Sequence, residues 1–384
     1  MYASYILLLT FILQNYASIR WSQEHRWNVP NETIKIYRQI WSSELEKAKK
    51  SIEEHTCVKF EIVEQPFGHR GIFVIEDEKC YADHIGPKLG RKVNFIFVNN
   101  KCKNDYFEML KLFLHTLGVT DEHNRDDRND YIDVDFDNVF RRDWGKLRRD
   151  KHNDLNTTTF GTSYDYGSML HGSTTYYSKS HKRPSIKVKG NYSQFYDRTI
   201  GQRRSESFNE YRLINYLYCN HTCNNYTEKI KCEYNGYQDP NNCGQCKCPY
   251  FTIGKECNSK QESSFLCRDT ALHALDYERN YTYYGYKHCY AYIHGKGGGR
   301  VKITVTYLWL GYYYNDSPCS RGPGSLEIKY KADKSVMGLC LCAYIDIYSG
   351  YGKQVEVTSE NSEIFLIFMG TWAQHTVIFK YVLA

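Results

Sequence analysis

The spacing of the cysteines constrains the fold of this chain more than any other feature of its sequence. Fifteen cysteines are present, and six of them lie between Cys223 and Cys257. A segment that short cannot bury enough apolar surface to hold a fold together, so cross-links must stabilise it. Disulfides persist in oxidising compartments. The sequence therefore predicts an exported protein that contains a small, disulfide-rich module.

The beginning of the chain also favours export. Tyr5 to Leu13 form an apolar run, far shorter than the ~20 residues of a membrane-spanning helix, and the small residues Ala17 and Ser18 follow. We expect residues 1–18 to be a signal peptide, and the mature protein to be secreted, extracellular and without a membrane span. Sequons for N-glycosylation agree with this location. They lie at Asn31, Asn156, Asn191, Asn220, Asn225, Asn280 and Asn315.

The charge of the chain is nearly balanced, with Lys+Arg 50 against Asp+Glu 44. Nucleic-acid partners are usually recognised by a strong basic excess, which is missing here. We therefore expect no nucleic-acid partner.

The part of the chain before residue 219 mixes helix and strand patterns. Ser43 to Glu46 has the form of a capping box and predicts the start of a helix. Val93 to Val98 reads as a buried strand. A second helix is predicted from Asp105 to Leu117, because Gly118 is suited to the left-handed conformation that ends helices.

The last part of the chain alternates apolar and polar residues with a period of two. This pattern is typical of strands with one buried face, and turn residues separate the runs. We therefore expect an antiparallel β-sandwich. The alternating apolar positions are Val301, Ile303 and Val305, then Leu326, Ile328 and Tyr330, then Val355 and Val357, and finally Val377 and Phe379.

A known signature overlaps the end of the second predicted helix, where the chain reads KLFLHTLGVTDEHNRDDR from Lys111. It resembles the zinc signature of the astacins, a metzincin family of secreted endopeptidases, which runs H-E-x-x-H-x-x-G-x-x-H-E-x-x-R-x-D-R. The shared positions are His115, Gly118, Glu122, Arg125, Asp127 and Arg128. The resemblance implies that the stretch from Arg125 to Arg128 fixes a loop through ion pairs.

The positions that carry the family's chemistry differ. In the signature three histidines bind zinc, and the glutamate beside the first serves as general base for zinc-bound water. Lys111 stands here for the first histidine, Leu112 for the glutamate and Asp121 for the third histidine. Of these four positions, only that of His115 keeps the residue of the signature. The family cofactor is zinc, but we predict no catalytic residue, no metal ligand and no cofactor in this chain.

Two interpretations of the altered site remain open. Lys111 and Asp121 form an ion pair in one of them. In the other, His115 still binds a metal together with Asp121 and a further donor such as His123.

A second signature lies at YDYGSMLHGS, from Tyr164 to Ser173. It resembles the family's Met-turn, Y-D-Y-x-S-x-M-H-Y, in which a methionine floors the zinc site and a tyrosine approaches the metal. Leu170 and Gly172 replace those two residues. Met169 lies one position early, so a shifted register supplies the methionine, but it does not supply the tyrosine.

The resemblance to the astacins covers residues 26–219, and two other regions resemble separate modules. Residues 220–258 resemble an EGF-like module of nematode astacins, and residues 267–384 resemble a CUB domain. These likenesses imply the disulfides Cys57–Cys219, Cys80–Cys102, Cys223–Cys243, Cys232–Cys246, Cys248–Cys257 and Cys267–Cys289. Cys319 pairs with either Cys340 or Cys342, and the cysteine left over is free or bridges two chains in a covalent dimer.

The sequence thus predicts an α+β fold: an astacin-like two-lobed domain, a small EGF-like module and a CUB-type antiparallel β-sandwich. We expect a secreted, inactive pseudoprotease that binds or regulates extracellular proteins through the sandwich and the vacated cleft. Two alternatives are a residual zinc metalloendopeptidase and a structural extracellular or cuticle-associated component.

Overall fold

The computed structural model describes residues 18–20, 22, 26–150, 157–206, 208–226, 228, 230–311, 318–342, 344–346 and 353–384. Residues 1–17 of the expected signal peptide, and the sequons at Asn156 and Asn315, lie outside the described residues.

The first lobe is built on a five-stranded mixed sheet. In chain order the strands up to residue 98 are β1 (Ile19–Arg20), β2 (Ile34–Arg38), β3 (Phe60–Val63), β4 (Ile72–Glu76), β5 (Tyr81–Ala82) and β6 (Asn94–Val98). The sheet has the order β3-β2-β4-β6-β5, and all its neighbours are parallel except β5 and β6. Parallel neighbours need a crossover connection, and a helix provides it between β2 and β3.

That helix is α1 (Ser43–His55), which buries Leu45, Ala48 and Ile52. The predicted capping box is wrong by one residue, because Ser42 is the cap. The Ser42 backbone is extended and its hydroxyl accepts a 3.1 Å hydrogen bond from the Leu45 N–H, whereas Ser43 is already helical. A second helix, α2 (Tyr106–Thr116), packs against α1.

The second lobe has little regular structure. Its strands are β7 (Ile132–Val134), β8 (Thr157–Thr158) and β9 (Ile186–Val188), and its helices are α3 (Ser193–Tyr196) and α4 (Phe208–Ile214), which continues as a π-helical turn over Asn215–Cys219. β1 pairs with β8 and β7 pairs with β9, both antiparallel.

Short 3-10 turns occur along the chain from the first lobe to the C-terminal part. They cover Leu89–Arg91, Cys102–Asn104, Glu122–Asn124, Arg128–Asp130, Phe136–Asn138, Arg141–Lys146, Phe265–Cys267 and Lys296–Gly298.

The cysteine-rich segment forms two small hairpins. β10 (Tyr237–Gln238) pairs with β11 (Cys246–Lys247), and β12 (Thr252–Ile253) pairs with β13 (Ser259–Lys260). The hairpins are too short to form a core of their own, so disulfides hold them.

Fourteen of the cysteines form disulfides in this structure. The pairs are Cys57–Cys219, Cys80–Cys102, Cys223–Cys243, Cys232–Cys246, Cys248–Cys257, Cys267–Cys289 and Cys319–Cys342. Cys340 is the remaining thiol, and its side chain is buried. A covalent dimer through Cys340 would therefore require this part of the chain to open first.

The C-terminal part is a sandwich of two five-stranded sheets. Its strands are β14 (Ala271–Ala274), β15 (Arg279–Tyr284), β16 (His288–Gly295), β17 (Val301–Trp309), β18 (Ser325–Lys329), β19 (Leu339–Leu341), β20 (Tyr344–Asp346), β21 (Val355–Thr358), β22 (Glu363–Met369) and β23 (Thr376–Leu383). One sheet has the order β14-β16-β22-β18-β19, and the other has the order β15-β23-β17-β20 with β21 also on β17. The pairs are antiparallel as predicted, with the exception of β14 beside β16.

The sandwich packs directly on the second lobe. The loop between β18 and β19 lies on the turn that contains Asp165, where the Asp165 carboxylate accepts a 3.1 Å hydrogen bond from the Met337 N–H. Arg212 donates a 3.1 Å hydrogen bond to the Ser335 hydroxyl. Gly167 is required at this contact, because a Cβ there would lie 2.3 Å from the Met337 side chain.

Within the part of the chain that the structure describes, no helix is both long and apolar enough to cross a bilayer.

Candidate functional site

The candidate site lies where α2 ends and the chain turns back. Asp105 caps α2 by accepting hydrogen bonds from the Phe107 and Glu108 N–H groups. Gly118 adopts φ +102 after the last turn, a conformation that favours glycine, and redirects the chain toward Asp121.

Lys111 and His115 are four residues apart and therefore lie on one face of α2. Both contact the same oxygen of Asp121: the Lys111 Nζ lies 3.1 Å from Asp121 Oδ1, and the His115 Nε2 lies 3.2 Å from it. The ion pair considered from the sequence is thus present. Burial of Asp121 opposes its charge, but Lys111 and then His115 outweigh burial and hold the pKa of that carboxyl well below its ordinary value.

Leu112 follows Lys111 on α2 and makes no polar contact with this cluster, because its side chain is a hydrocarbon. Its side chain is 3% exposed and belongs to the core of the first lobe, among Phe113, Leu170 and their neighbours. The position that holds the general base in the signature therefore holds a core residue.

His123 does not join the cluster as a ligand. Its Nδ1 accepts a 2.9 Å hydrogen bond from the Gly172 N–H, and its Nε2 lies 3.2 Å from the Lys146 carbonyl oxygen. Burial lowers the pKa of His123 to about 4, so the ring is neutral at physiological pH. Both ring nitrogens are used, and the alternative site of His115, Asp121 and His123 is not assembled.

The turn from Tyr164 to Gly172 forms the floor of the site. The Tyr164 hydroxyl donates a 2.8 Å hydrogen bond to His171 Nε2, and His171 Nδ1 donates one of 2.7 Å to the Gly172 carbonyl. Met169 and Leu170 are both 1% exposed and pack in the first-lobe core.

Tyr176 occupies the space that the side chain of residue 172 would need, and the sequence did not reveal this. A Cβ on Gly172 would lie 2.8 Å from Tyr176 Cγ, closer than real carbon contacts allow. The Tyr176 ring centre lies 5.8 Å from the Lys111 Nζ and 4.9 Å from the centre of the His123 ring. No local pattern marks Tyr176, because its role depends on a void that a glycine leaves elsewhere in the chain.

This contact predicts the effect of Gly172→Ala. The added methyl group collides with the base of the Tyr176 ring, and such overpacking costs about 1–3 kcal/mol of unfolding free energy. Chemical denaturation measures the loss. Gly145→Ala is the control, since nothing lies within 4 Å of a Cβ at Gly145.

A double variant decides whether the collision is the cause. In the Tyr176→Ala background the ring is absent and the Cβ of residue 176, at 3.1 Å, remains, so Gly172→Ala should cost much less. An equal cost in both backgrounds would refute the proposed contact.

Ion pairs fix the loop beside the cluster, as the sequence indicated. Arg125 donates to both Asp127 oxygens, at 2.8 and 2.7 Å, and to Glu122 Oε1 at 3.0 Å. Arg128 donates to the His123 and Leu147 carbonyls. Glu122 also accepts a 2.8 Å hydrogen bond from the Asp165 N–H, although burial raises the pKa of Glu122 to about 7. These groups hold the backbone and are not free for proton transfer.

The fit of a zinc ion follows from the donors at hand. A structural or catalytic zinc site takes at least three protein ligands, of the imidazole, thiolate or carboxylate kind. Among the residues that the structure describes, no group of three His, Cys, Asp or Glu side chains is placed to share a metal. At the candidate site one imidazole and one carboxylate face an ammonium group, and this set does not fit zinc.

Comparison with known proteins gives several nematode relatives. Zinc metalloproteinase nas-30 of Caenorhabditis elegans is 27% identical over 85% of this chain, and nas-37 of the same organism is 26% identical over 89%. Zinc metalloproteinase nas-36 of Brugia malayi is 32% identical over 62% of the chain. The chain matches 41% of the length of nas-30 and of nas-37 and 39% of that of nas-36.

Solved structures give a weaker likeness. High choriolytic enzyme 1, a hatching-enzyme zinc protease from the medaka fish Oryzias latipes, is 24% identical with a TM-score of 0.44. The match covers 53% of this chain and 98% of that one.

These relatives correct one prediction from the sequence. We expected no cofactor, but the relatives are named zinc metalloproteinases, so zinc is the cofactor that the relationship leads us to expect. The expectation of no cofactor is therefore wrong.

The model for the Astacin peptidase family matches residues 15–219, which is more than half of the chain. That range contains the helix with Lys111 and His115, the turn at Gly118 and the floor from Tyr164 to Gly172. The chain therefore belongs to the astacin family.

Proposed function

We propose that this protein is a secreted pseudoprotease of the astacin family, which binds extracellular proteins and does not hydrolyse peptide bonds. The observation that carries the proposal is Leu112. A general base must accept a proton within hydrogen-bond reach of the attacking water. Leucine has no group that can do so, and this leucine is buried in the core.

Gly172 supports the same conclusion. It stands where the resemblance places the tyrosine that approaches the reacting carbonyl, and Tyr176 has taken the space. Tyr176 cannot act as a proton acceptor near neutral pH, because burial raises its pKa well above the ordinary value.

Export is supported by the disulfides, since fourteen cysteines are paired and such bonds persist outside the cytosol. We also propose the domain boundaries: signal peptide 1–18, astacin-like domain 26–219, EGF-like module 220–258 and CUB domain 267–384. The hairpins over β10–β13 agree with the EGF-like module, and the two-sheet sandwich over β14–β23 agrees with the CUB domain.

The sandwich is the proposed contact surface for partners. Tyr284, at the end of β15, and Tyr286 and Trp372, on neighbouring loops, are more than half exposed. The Lys287 and Gly370 backbones of these loops exchange hydrogen bonds. Exposed tyrosine and tryptophan are enriched at protein interfaces. The cleft around Lys111 and Asp121 is the second proposed surface.

A peptidase assay on the purified full chain tests the proposal. We expect hydrolysis of an unstructured protein substrate at the buffer rate, because loss of a catalytic unit lowers kcat by roughly 10⁶-fold in a well-studied protease. Addition of a chelator should change nothing. An active astacin serves as positive control, and elemental analysis of the same sample measures zinc separately, since a missing base abolishes hydrolysis with zinc in place.

The second candidate is a zinc metalloendopeptidase, which the names of the relatives favour. Cleavage that is sensitive to chelator would support it and refute our proposal. The His115→Ala variant excludes a contaminant, because cleavage by this site must disappear in the variant, whereas cleavage by a contaminating protease must persist.

A further inference from the structure

A pocket of about 350 Å³ lies between the second lobe and the sandwich. Six of its twelve lining residues are tyrosines, among them Tyr131 of the second lobe. From the lobe come Tyr164, Tyr166, Tyr192 and Tyr196, and from the sandwich come Tyr330 and Lys331. The two sides touch: the Tyr192 and Tyr330 ring centres are 5.2 Å apart, and the Tyr196 hydroxyl donates a 3.3 Å hydrogen bond to the Tyr330 hydroxyl.

Asn191 lies on the rim of this pocket. It follows Gly190, which adopts φ +89 and turns the chain, and its own side chain is exposed. Asn191, Tyr192 and Ser193 form a sequon, so the amide nitrogen of Asn191 is an acceptor for an N-linked glycan. The first sugar on that nitrogen would start at the mouth of the pocket.

The lining suits a sugar. A pyranose ring carries apolar C–H faces and polar hydroxyl edges, and a tyrosine ring with its hydroxyl can contact both. Tyr164, Tyr166 and Tyr196 are buried, so the rings open to a sugar are those of the half-buried Tyr131 and Tyr192. Lys189 and Glu360 add a charged donor and a charged acceptor to the same wall. Small-ligand pockets combine such apolar surfaces with a few convergent polar groups.

We propose that Asn191 carries an N-linked glycan whose first N-acetylglucosamine lies in this pocket and bridges the second lobe to the sandwich. The glycan is attached during export, so the inference rests on the secretion that is part of the proposed function. Its role is adhesive: it fills the gap between two parts of one chain, with no protein partner involved.

The experiment uses the full chain secreted from eukaryotic cells. Peptide mass spectrometry measures occupancy at each sequon, and an amidase that removes whole N-glycans is then applied to the native protein. We expect the glycan to be released from Asn191 about ten-fold more slowly than from Asn31. The amidase reaches the linkage only while the sugar is outside its pocket, which we take to be about a tenth of the time. Denaturation should remove the difference.

Two variants test the adhesive role. Ser193→Ala and Asn191→Gln both abolish the sequon, and each should lower the thermal midpoint by roughly 2–4 °C. Thr33→Ala abolishes the sequon of Asn31 in the same way and should leave the midpoint unchanged.

The outcomes separate this inference from the proposed function. Sugar at Asn31 with none at Asn191, or equal release from both sites, overturns the inference and leaves secretion intact. Failure of the chain to leave the cells overturns secretion, and with it the basis of the inference.

Discussion

Glu327→Gln is expected to destabilise the C-terminal sandwich by about 3–5 kcal/mol at neutral pH. Glu327 lies on β18 and is 0% exposed. Its carboxylate accepts hydrogen bonds of 2.6 and 3.1 Å from Arg321 and one of 2.7 Å from the Gly338 N–H, and the Lys329 Nζ lies 3.2 Å away. A neutral amide leaves two buried cations without their counter-charge.

The same group predicts a pH dependence. Burial of Glu327 alone would raise its pKa, but Arg321 and then Lys329 outweigh burial and lower it from 4.5 to about 2. A lowered carboxyl pKa means that the stabilisation is complete above pH 4.5 and is lost as the pH falls toward 2. The variant has no such titration, so its difference from the wild type should shrink in acid.

Urea denaturation at about pH 7 and about pH 3 measures both effects. Glu356→Gln is the matched control, because its pair with Lys302 is solvent-exposed and should contribute no more than ~1 kcal/mol. A Glu327→Gln variant as stable as this control would show that the three buried charges do not act as a unit.

The second large effect is expected for Lys111→Met, at about 2–3 kcal/mol of unfolding free energy. This is less than for a fully buried pair, because the Lys111 and Asp121 side chains are 11% and 13% exposed. The substitution keeps an unbranched side chain one atom shorter than that of lysine and removes the ammonium group. Asp121 is left buried, with His115 as its remaining neighbour in the cluster.

Removal of the carboxylate as well should recover the unfolding free energy that Lys111→Met loses. Lys111→Met combined with Asp121→Asn leaves no uncompensated charge, and we expect this double variant to lie within about 1 kcal/mol of the wild type. Chemical denaturation of the four proteins of the cycle yields the coupling. Lys47→Met, at an exposed pair with Glu44, is the control with little expected effect. Additive losses in the cycle would contradict a direct interaction.

Local patterns in the sequence were enough to place much of the site. Helical spacing put Lys111 and His115 on one face of α2, and the glycine at position 118 indicated the turn that brings Asp121 to them. The family signature supplied the register for both. These features depend on neighbours within a few residues, where periodicity and turn chemistry are informative.

Contacts between distant parts of the chain were not predictable in this way. Nothing in the sequence near Tyr176 shows that its ring fills the space beside Gly172. Nor does a pattern connect Met337 to Asp165, which are far apart in the chain and meet through a backbone donor. Such contacts depend on shape complementarity across the folded molecule, which a single sequence does not display.

The packing of the sandwich on the second lobe has a consequence for how the molecule engages anything larger than itself. The Lys111–Asp121 cluster and the aromatic residues near Trp372, our two proposed binding surfaces, belong to parts of the chain that meet through the Asp165–Met337 and Arg212–Ser335 contacts. The distance between these two proposed surfaces is therefore fixed by the fold. A ligand with two epitopes at the matching separation gains avidity without ordering a linker, and one with a different separation can engage a single surface at a time.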